Sequence, residues 1–178
     1  MKKGLLLGLL LSSMVFGLEI DTEKSVFEWA GTKAVGSGHG GKIFLASSDL
    51  KMKDGDIVSG TFVMDMKTFT VEDLDGEWEQ KFLGHMKSAD FFEVETFPTS
   101  TLVLKELADG KAKGELTIKG NTHPVQFDVK RTGQTYAGTL KFDRTKFDMI
   151  YGSDNFFKNL GDKVINDEVT LEFKVVLK

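Results

Sequence analysis

Val169-Thr-Leu-Glu-Phe-Lys-Val-Val-Leu-Lys178 decides how the rest of this chain is read. Val169, Leu171, Phe173, Val175 and Leu177 point one way; Thr170, Glu172, Lys174 and Lys178 point the other. A repeat of two is the mark of a strand with one dry face and one wet face. Val176 is the exception.

The same alternation recurs upstream. Val125, Phe127 and Val129 alternate with Gln126, Asp128 and Lys130; Leu116 and Ile118 alternate with Glu115, Thr117 and Lys119. Phe62, Met64 and Met66 alternate with Thr61, Asp65 and Lys67, with Val63 out of pattern. Further strands are expected at 24–33, 39–47, 99–107 and 135–143. Between them lie short hairpin signals: Asp54-Gly55, Asp109-Gly110, Lys119-Gly120-Asn121 and Thr132-Gly133-Gln134. Tight hairpins join antiparallel neighbours, so the pattern gives a meander rather than a parallel sheet. Pro124 has no N–H for a ladder and belongs at a strand start or an edge. About eight such strands remove their edges by closing into a barrel. The expected fold is mainly β: an extended eight-stranded antiparallel barrel, lipocalin-like, with one or two short helices beside it.

One segment departs from the two-residue repeat. In 74–90, Trp78, Phe82 and Met86 recur every four residues, which predicts an amphipathic helix. Asp73 or Asp75 suits its N-cap, and Glu77 and Glu79 suit the positive end of its dipole. A second irregular stretch, 144–166, holds Phe147, Tyr151, Phe156, Phe157 and Leu160 among Gly and Asn.

Several motifs are decoys. Ala34-Val-Gly-Ser-Gly-His-Gly-Gly-Lys-Ile-Phe-Leu45 contains both G-x-x-x-x-G-K and G-x-G-x-x-G. Either nucleotide motif needs a following helix, and Ile43-Phe44-Leu45 reads as strand. Gly36, Gly38, Gly40 and Gly41 instead suit a sharp bend at a barrel corner or mouth. Ser48-Asp-Leu-Lys51 and Ser153-Asp-Asn155 resemble pieces of a penicillin-recognising enzyme, but order and context are wrong. The acidic run 72–77 lacks EF-hand spacing. His39, His85 and His123 form no metal-ligand pair. No G-x-S-x-G and no cysteine supplies a nucleophile, so an enzyme is not expected and no catalytic residue is assigned.

Composition sets the compartment. Lys2 and Lys3 followed by the apolar run Leu5–Leu11 read as a secretory signal peptide over residues 1–17, too short to span a bilayer. A single domain over 18–178, in the periplasm, is the expectation. With no cysteine there is neither lipid-anchor thiol nor disulfide. A net charge of −4 argues against nucleic acid and anionic lipid surfaces. Fifteen Phe against two Tyr and two Trp give a greasy interior, built as plain core or to admit a greasy ligand.

His85-Met-Lys-Ser-Ala-Asp-Phe-Phe-Glu-Val-Glu-Thr-Phe-Pro-Thr-Ser-Thr-Leu102 resembles the pattern H-L-x-S-x-D-F-F-x-V-x-x-Y-P of the YceI-like family of secreted bacterial proteins. Gly114-Glu-Leu-Thr-Ile-Lys-Gly-Asn-Thr-His-Pro-Val125 resembles that family's G-x-L-T-I-K-G-x-T-x-P-V. Arg144-Thr-Lys-Phe-Asp-Met-Ile-Tyr-Gly-Ser153 and Phe156-Phe-Lys-Asn-Leu-Gly-Asp162 resemble one of its branches. Phe97 and Met86 depart from the usual Tyr and Leu and stay apolar. The resemblance implies a lipocalin-like barrel with an apolar tunnel holding a polyisoprenoid or another long-chain amphiphile, without a further cofactor and without a catalytic motif.

The expected function is a periplasmic carrier for a long-chain apolar lipid. The candidate lining is Phe82, Met86, Phe91, Phe92, Leu102, Leu104, Phe142 and Phe173, with the Leu102/Leu104 face of 99–105 turned inward. No metal, nucleic acid or stable membrane insertion is expected; a homodimer through the Phe cluster stays open. The rival is a stress-response or interaction module whose barrel is filled by its own side chains. A third reading, an enzyme acting on a bound prenyl or quinone substrate, would need a shifted polar group such as His85 or Lys33 inside the tunnel.

Overall fold

The computed structural model describes residues 19–178; the signal peptide expected over 1–17 lies outside them. Nine antiparallel strands form one curled sheet. They are β1 Val26–Lys33, β2 His39–Lys42, β3 Phe44–Lys53, β4 Asp56–Asp65, β5 Thr99–Ala108, β6 Lys111–Ile118, β7 Asn121–Thr132, β8 Thr135–Asp143 and β9 Ile165–Val176. The order across the sheet is β2-β1-β9-β8-β7-β6-β5-β4-β3. The one α-helix among the described residues, α1 Gly76–Lys87, lies between β4 and β5.

The ninth strand arises at Ile43. The sequence reads 39–47 as one strand, but the chain bends there and the two pieces serve opposite edges of the sheet. His39–Lys42 pairs with β1, and Phe44–Lys53 pairs with β4. Glycine permits the bend: a Cβ at Gly41 would collide with the carbonyl oxygen of Thr70, and one at Gly38 with that of Gly31. The glycine-rich stretch is therefore a place of close backbone approach. β7 is the second strand shared between halves. It pairs with β6 through Asn121–Asp128, but with β8 only through Val129–Thr132. Strands that bend from one half to the other are how two sheet faces meet around a single core.

The mainly β, lipocalin-like sheet expected is the one observed, curled so that the bent strand 39–53 meets both of its ends, and the free sides of β2 and β3 are managed rather than abolished. Beside β2, residues 68–72 supply bonds to the chain: Thr70 N–H donates to Lys42 O at 2.9 Å and Glu72 N–H to Gly40 O at 2.9 Å. β3 carries two register shifts and the polar run Ser47-Ser48-Asp49, features that discourage edge-to-edge pairing. Pro124 sits where β7 pairs on one side only, so its missing N–H costs no ladder bond.

The two poles differ. At one, two-residue turns join β3 to β4, β5 to β6 and β7 to β8. Asp54-Gly55 and Asp109-Gly110 have positive φ at both positions (53° and 83°; 51° and 72°), as type I′ hairpins require. Gly133, at 61°, opens the third. Ile20 bridges to Leu177 at this pole, and Tyr136 Oη accepts the Ile57 N–H at 3.1 Å. At the opposite pole lie residues 34–38, 66–98 and 144–164, together with the Lys119-Gly120 hairpin. That pole carries most of the irregular chain and α1. The helix buries no residue fully; Phe82, Leu83 and Met86 lean on the core from above. Asp75 is its N-cap residue but makes no side-chain capping bond. Asp73 is used elsewhere: it accepts from His39 Nδ1 at 2.8 Å.

Candidate functional site

The inward faces of the strands enclose one long, almost wholly apolar cavity of about 220 Å³. The walls follow from the two-residue alternation, with its phase changing along β4 between Ile57 and Phe62. β9 contributes Val169, Leu171, Phe173 and Val175, the side of the opening stretch expected to be dry. β1 contributes Phe27 and Trp29; β4 contributes Ile57, Phe62 and Met64; β6 contributes Ala112 and Leu116; β8 contributes Tyr136, Leu140 and Phe142. Ile165 and Val175 both border the void. They are ten residues apart on one strand, about 33 Å of strand path at ~3.3 Å per residue. A volume this small over such a length makes the void narrow.

All eight candidate residues border this cavity: Phe82, Met86, Phe91 and Phe92 from α1 and the loop after it, Leu102 and Leu104 from β5, Phe142 from β8 and Phe173 from β9. The inward face of β5 is the Leu102/Leu104 side; Val103 is exposed. Reading for greasy clusters near the helix overlooked β1, β4 and β6. Their alternation was visible, but nothing in it separates a residue that fills a core from one that borders a void. Ile43 was overlooked for a different reason: it lies at the bend between β2 and β3, outside both; Met66 carried the alternation of Phe62 and Met64 one step past the end of β4.

Aromatic stacking ties the roof to the wall. Trp29 stacks on Phe69 at 4.5 Å and on Phe82 at 6.1 Å, and Phe69 meets Phe92 at 5.4 Å. Trp29 Nε1 donates to Thr70 O at 2.9 Å, satisfying the indole inside an apolar setting. His39 packs on Phe82 at 4.7 Å.

Two buried cations fix the irregular pole. Arg144 divides its donors between the loop it begins and the start of β9. Its guanidinium reaches Asn166 O at 3.1 Å, Tyr151 O at 2.8 Å, Ile165 O at 3.0 Å, Met149 O, and Asp167 Oδ1 at 3.2 Å. Asp167 in turn accepts from Ser153 Oγ at 3.0 Å and Asn155 Nδ2 at 2.7 Å. Burial lowers the Arg144 pKa from its ordinary value, opposed by the charges of Asp167 and Asp143. Lys119 Nζ donates to Ala89 O at 2.7 Å and Asp148 O at 3.1 Å, and pairs with Asp148 Oδ2. It thereby joins the β6–β7 hairpin to the loops after α1 and β8. The Arg144 and Lys119 motifs therefore read as loop staples. His85 pairs with Asp90 at 3.0 Å and stacks edge-on against Phe91 and Tyr151. Lys33 borders the cavity at its mouth.

Comparison with known proteins places this architecture. The crystal structure of BcnA from Burkholderia cenocepacia superposes with a TM-score of 0.66 at 22% identity, over 90% of this chain and all of that one. A polyisoprenoid binding domain from Saccharophagus degradans, implicated in plant cell wall breakdown, superposes at 0.63 and 16% identity over 89% and 96% of the two chains. At these identities the likeness is one of fold. A UPF0312 protein of Staphylococcus epidermidis is 38% identical over 80 residues, 45% of this chain and 46% of that protein. The chain thus spans about half the length of the curated relatives it matches. The YceI-like domain matches residues 18–177. That match, running from before β1 to past β9, makes this chain a member of the YceI-like domain family.

Proposed function

We propose that the protein binds a long-chain apolar lipid, with one hydrocarbon chain threaded along the cavity. The observation that carries this is the cavity itself: narrow, almost wholly apolar and running most of the length of β9. A polyisoprenoid or a fatty-acid-like chain suits that shape; a broad ring system does not. One structural relative is a polyisoprenoid binding domain, which supports the reading. At about 30 Å³ per water-sized group, the void holds about seven methylene-sized groups. Their transfer returns about 6 kcal/mol before ordering costs. A longer chain needs Met64, Met66 and Met86 to move aside, which flexible thioethers do readily. No step of the proposed function is catalytic. A periplasmic carrier role is supported by the lysine-flanked apolar run near the N-terminus.

One observation favours the rival. The void lies below the range of about 300–1,000 Å³ found for most ligand pockets, as a barrel filled by its own side chains would have. Native mass spectrometry of protein purified from its own host, followed by lipid extraction, separates the two. A stoichiometric long-chain adduct, displaced when Leu116→Trp fills the cavity, supports the carrier reading. Adduct-free protein of full stability supports the filled module.

A further inference from the structure

Five of the seven large apolar side chains exposed among the described residues gather at the pole that carries α1: Val35, Trp78, Tyr151, Phe156 and Phe157. Contacts between their segments place them together. Ala34 N–H donates to Val164 O at 3.0 Å, and Ile165 N–H to Gly152 O at 2.8 Å, so residues 34–38 lie against the loop holding Tyr151. Tyr151 packs on His85 of α1 at 4.7 Å. Phe82 of α1 returns to His39 at the end of 34–38. Phe156 and Phe157 follow Asn155, which is bonded to Asp167 at 2.7 Å. The ring encloses the place where the cavity reaches the surface, bordered by Lys33, Gly38, His39 and Asn166.

We infer that this rim docks on the surface of a phospholipid bilayer, bringing the mouth of the cavity against the acyl chains. The choice of a bilayer over another protein rests on the chain-binding reading: a water-insoluble chain enters from a membrane, and the rim is continuous with its entrance. The side chains fit that occupant. Trp and Tyr favour the headgroup boundary, where a ring can be half wet and half dry. Trp78 is 71% exposed and Phe156 54%, although neither borders the cavity. Charge on the rim is mixed and slightly acidic. Lys33, Lys81, Lys158 and Lys163 face Asp75, Glu77, Glu79, Asp154 and Asp162. Docking is therefore driven by apolar burial and does not call for anionic lipid.

Trp29 borders the cavity and would respond to a chain entering it, so emission is read in a Trp29→Phe variant, where Trp78 is the one tryptophan left. With pure phosphatidylcholine vesicles, the emission should shift to shorter wavelength and be quenched by brominated acyl chains. Partitioning should change less than twofold on adding phosphatidylglycerol or salt. A triple variant, Trp78→Ser with Phe156→Ser and Phe157→Ser, should partition at least tenfold less by vesicle flotation. It should still load a fluorescent single-chain fatty acid from solution, which also shows that it is folded. Wild-type protein that ignores vesicles, or a variant that floats as well as wild type, overturns the inference. So does a wild-type dimer, seen by light scattering, that the variant loses while vesicle partitioning is unchanged: the rim would then be covered by a second copy. Vesicle docking without fatty-acid loading would leave the rim standing and remove the carrier reading; loading without docking would do the reverse.

Discussion

Gly41 shows how much a single hydrogen atom can matter in this chain. It lies in β2 where residues 68–72 press against the strand, and its missing Cβ is what lets Thr70 approach. Gly41→Ala forces the two backbones apart; an overpacking cost of about 1–3 kcal/mol is expected, read as a lower urea midpoint at unchanged slope. Arg144 is a harsher case. Removing it as Arg144→Met strands Asp167 in a mostly buried site and leaves four carbonyls without their donor, at about 3–5 kcal/mol. Arg144→Lys recovers only part of this, because an ammonium cannot serve five acceptors spread around a planar fork. Asp73 gives a pH signature. Burial acts to raise its pKa, but the bonds from His39 and the Gly40 N–H outweigh that and leave it lowered. A lowered carboxylate contributes stability that is complete above the unfolded pKa and fades as pH falls through the folded one. Amide exchange at Gly40, whose N–H bonds to Asp73 Oδ1, should therefore accelerate on acidification below the ordinary aspartate range. Asp73→Asn should flatten that response.

Among the elements, the join between β7 and β8 is where side chains do the work of a ladder. The strands pair over four residues each and then part. Above that point Phe147 fills the gap, its ring 5.2 Å from His123 of β7 and 5.6 Å from Phe142 of β8, both near perpendicular. Phe147→Ala should cost about 3–5 kcal/mol, typical of a buried aromatic. Its distinguishing effect is local: amides of residues 139–143 should lose exchange protection before those of β4 and β5. Nothing in the alternation of 121–132 or 135–143 announced this seam. Pro124 was the one legible hint, since a residue without an N–H marks a face that needs no partner. The same logic explains what could be read. Strands β6, β7 and β9 were visible because one face is dry and the other wet, and the hairpins because Asp-Gly and Lys-Gly favour positive φ. The glycines before Ile43 announced a bend, but not the change of partners there, because a strand that changes partners keeps its own periodicity. The N-cap was narrowed to two neighbouring aspartates and no further; Asp75 takes it, because Asp73 has a distant partner, His39, that no local rule supplies.

For the molecule as a whole, folding and ligand capture draw on the same surface. Most of the buried apolar side chains also border the void, Ile20, Val71, Val94, Phe147 and Leu177 being the exceptions, so the empty protein is held largely by the walls of its own cavity. A bound chain at a hundredfold over its Kd adds about 2.7 kcal/mol, which raises Tm by roughly 5–11 °C for a chain of this size. Delipidated protein should therefore melt that much lower by scanning calorimetry, and refilling with a single-chain amphiphile should restore it. An unchanged Tm after exhaustive extraction would favour the filled module. Eight of the residues bordering the void could be named from the sequence because they are large and cluster near the helix. The void's narrowness could not be named, since it depends on how far the rings of Phe62, Phe127 and Phe173 reach inward.

The bridge between Ile20 and Leu177 has a practical corollary for handling the molecule. Glu19 O accepts the Lys178 N–H at 2.9 Å, so the first and last described residues touch at the pole of short turns. A brief glycine-serine peptide joining them would close the backbone into a ring without distorting any strand. Cutting that ring between Asp109 and Gly110 would give a circular permutant with its new ends at the same pole. An immobilising handle fused to either version would leave the aromatic rim facing free solution.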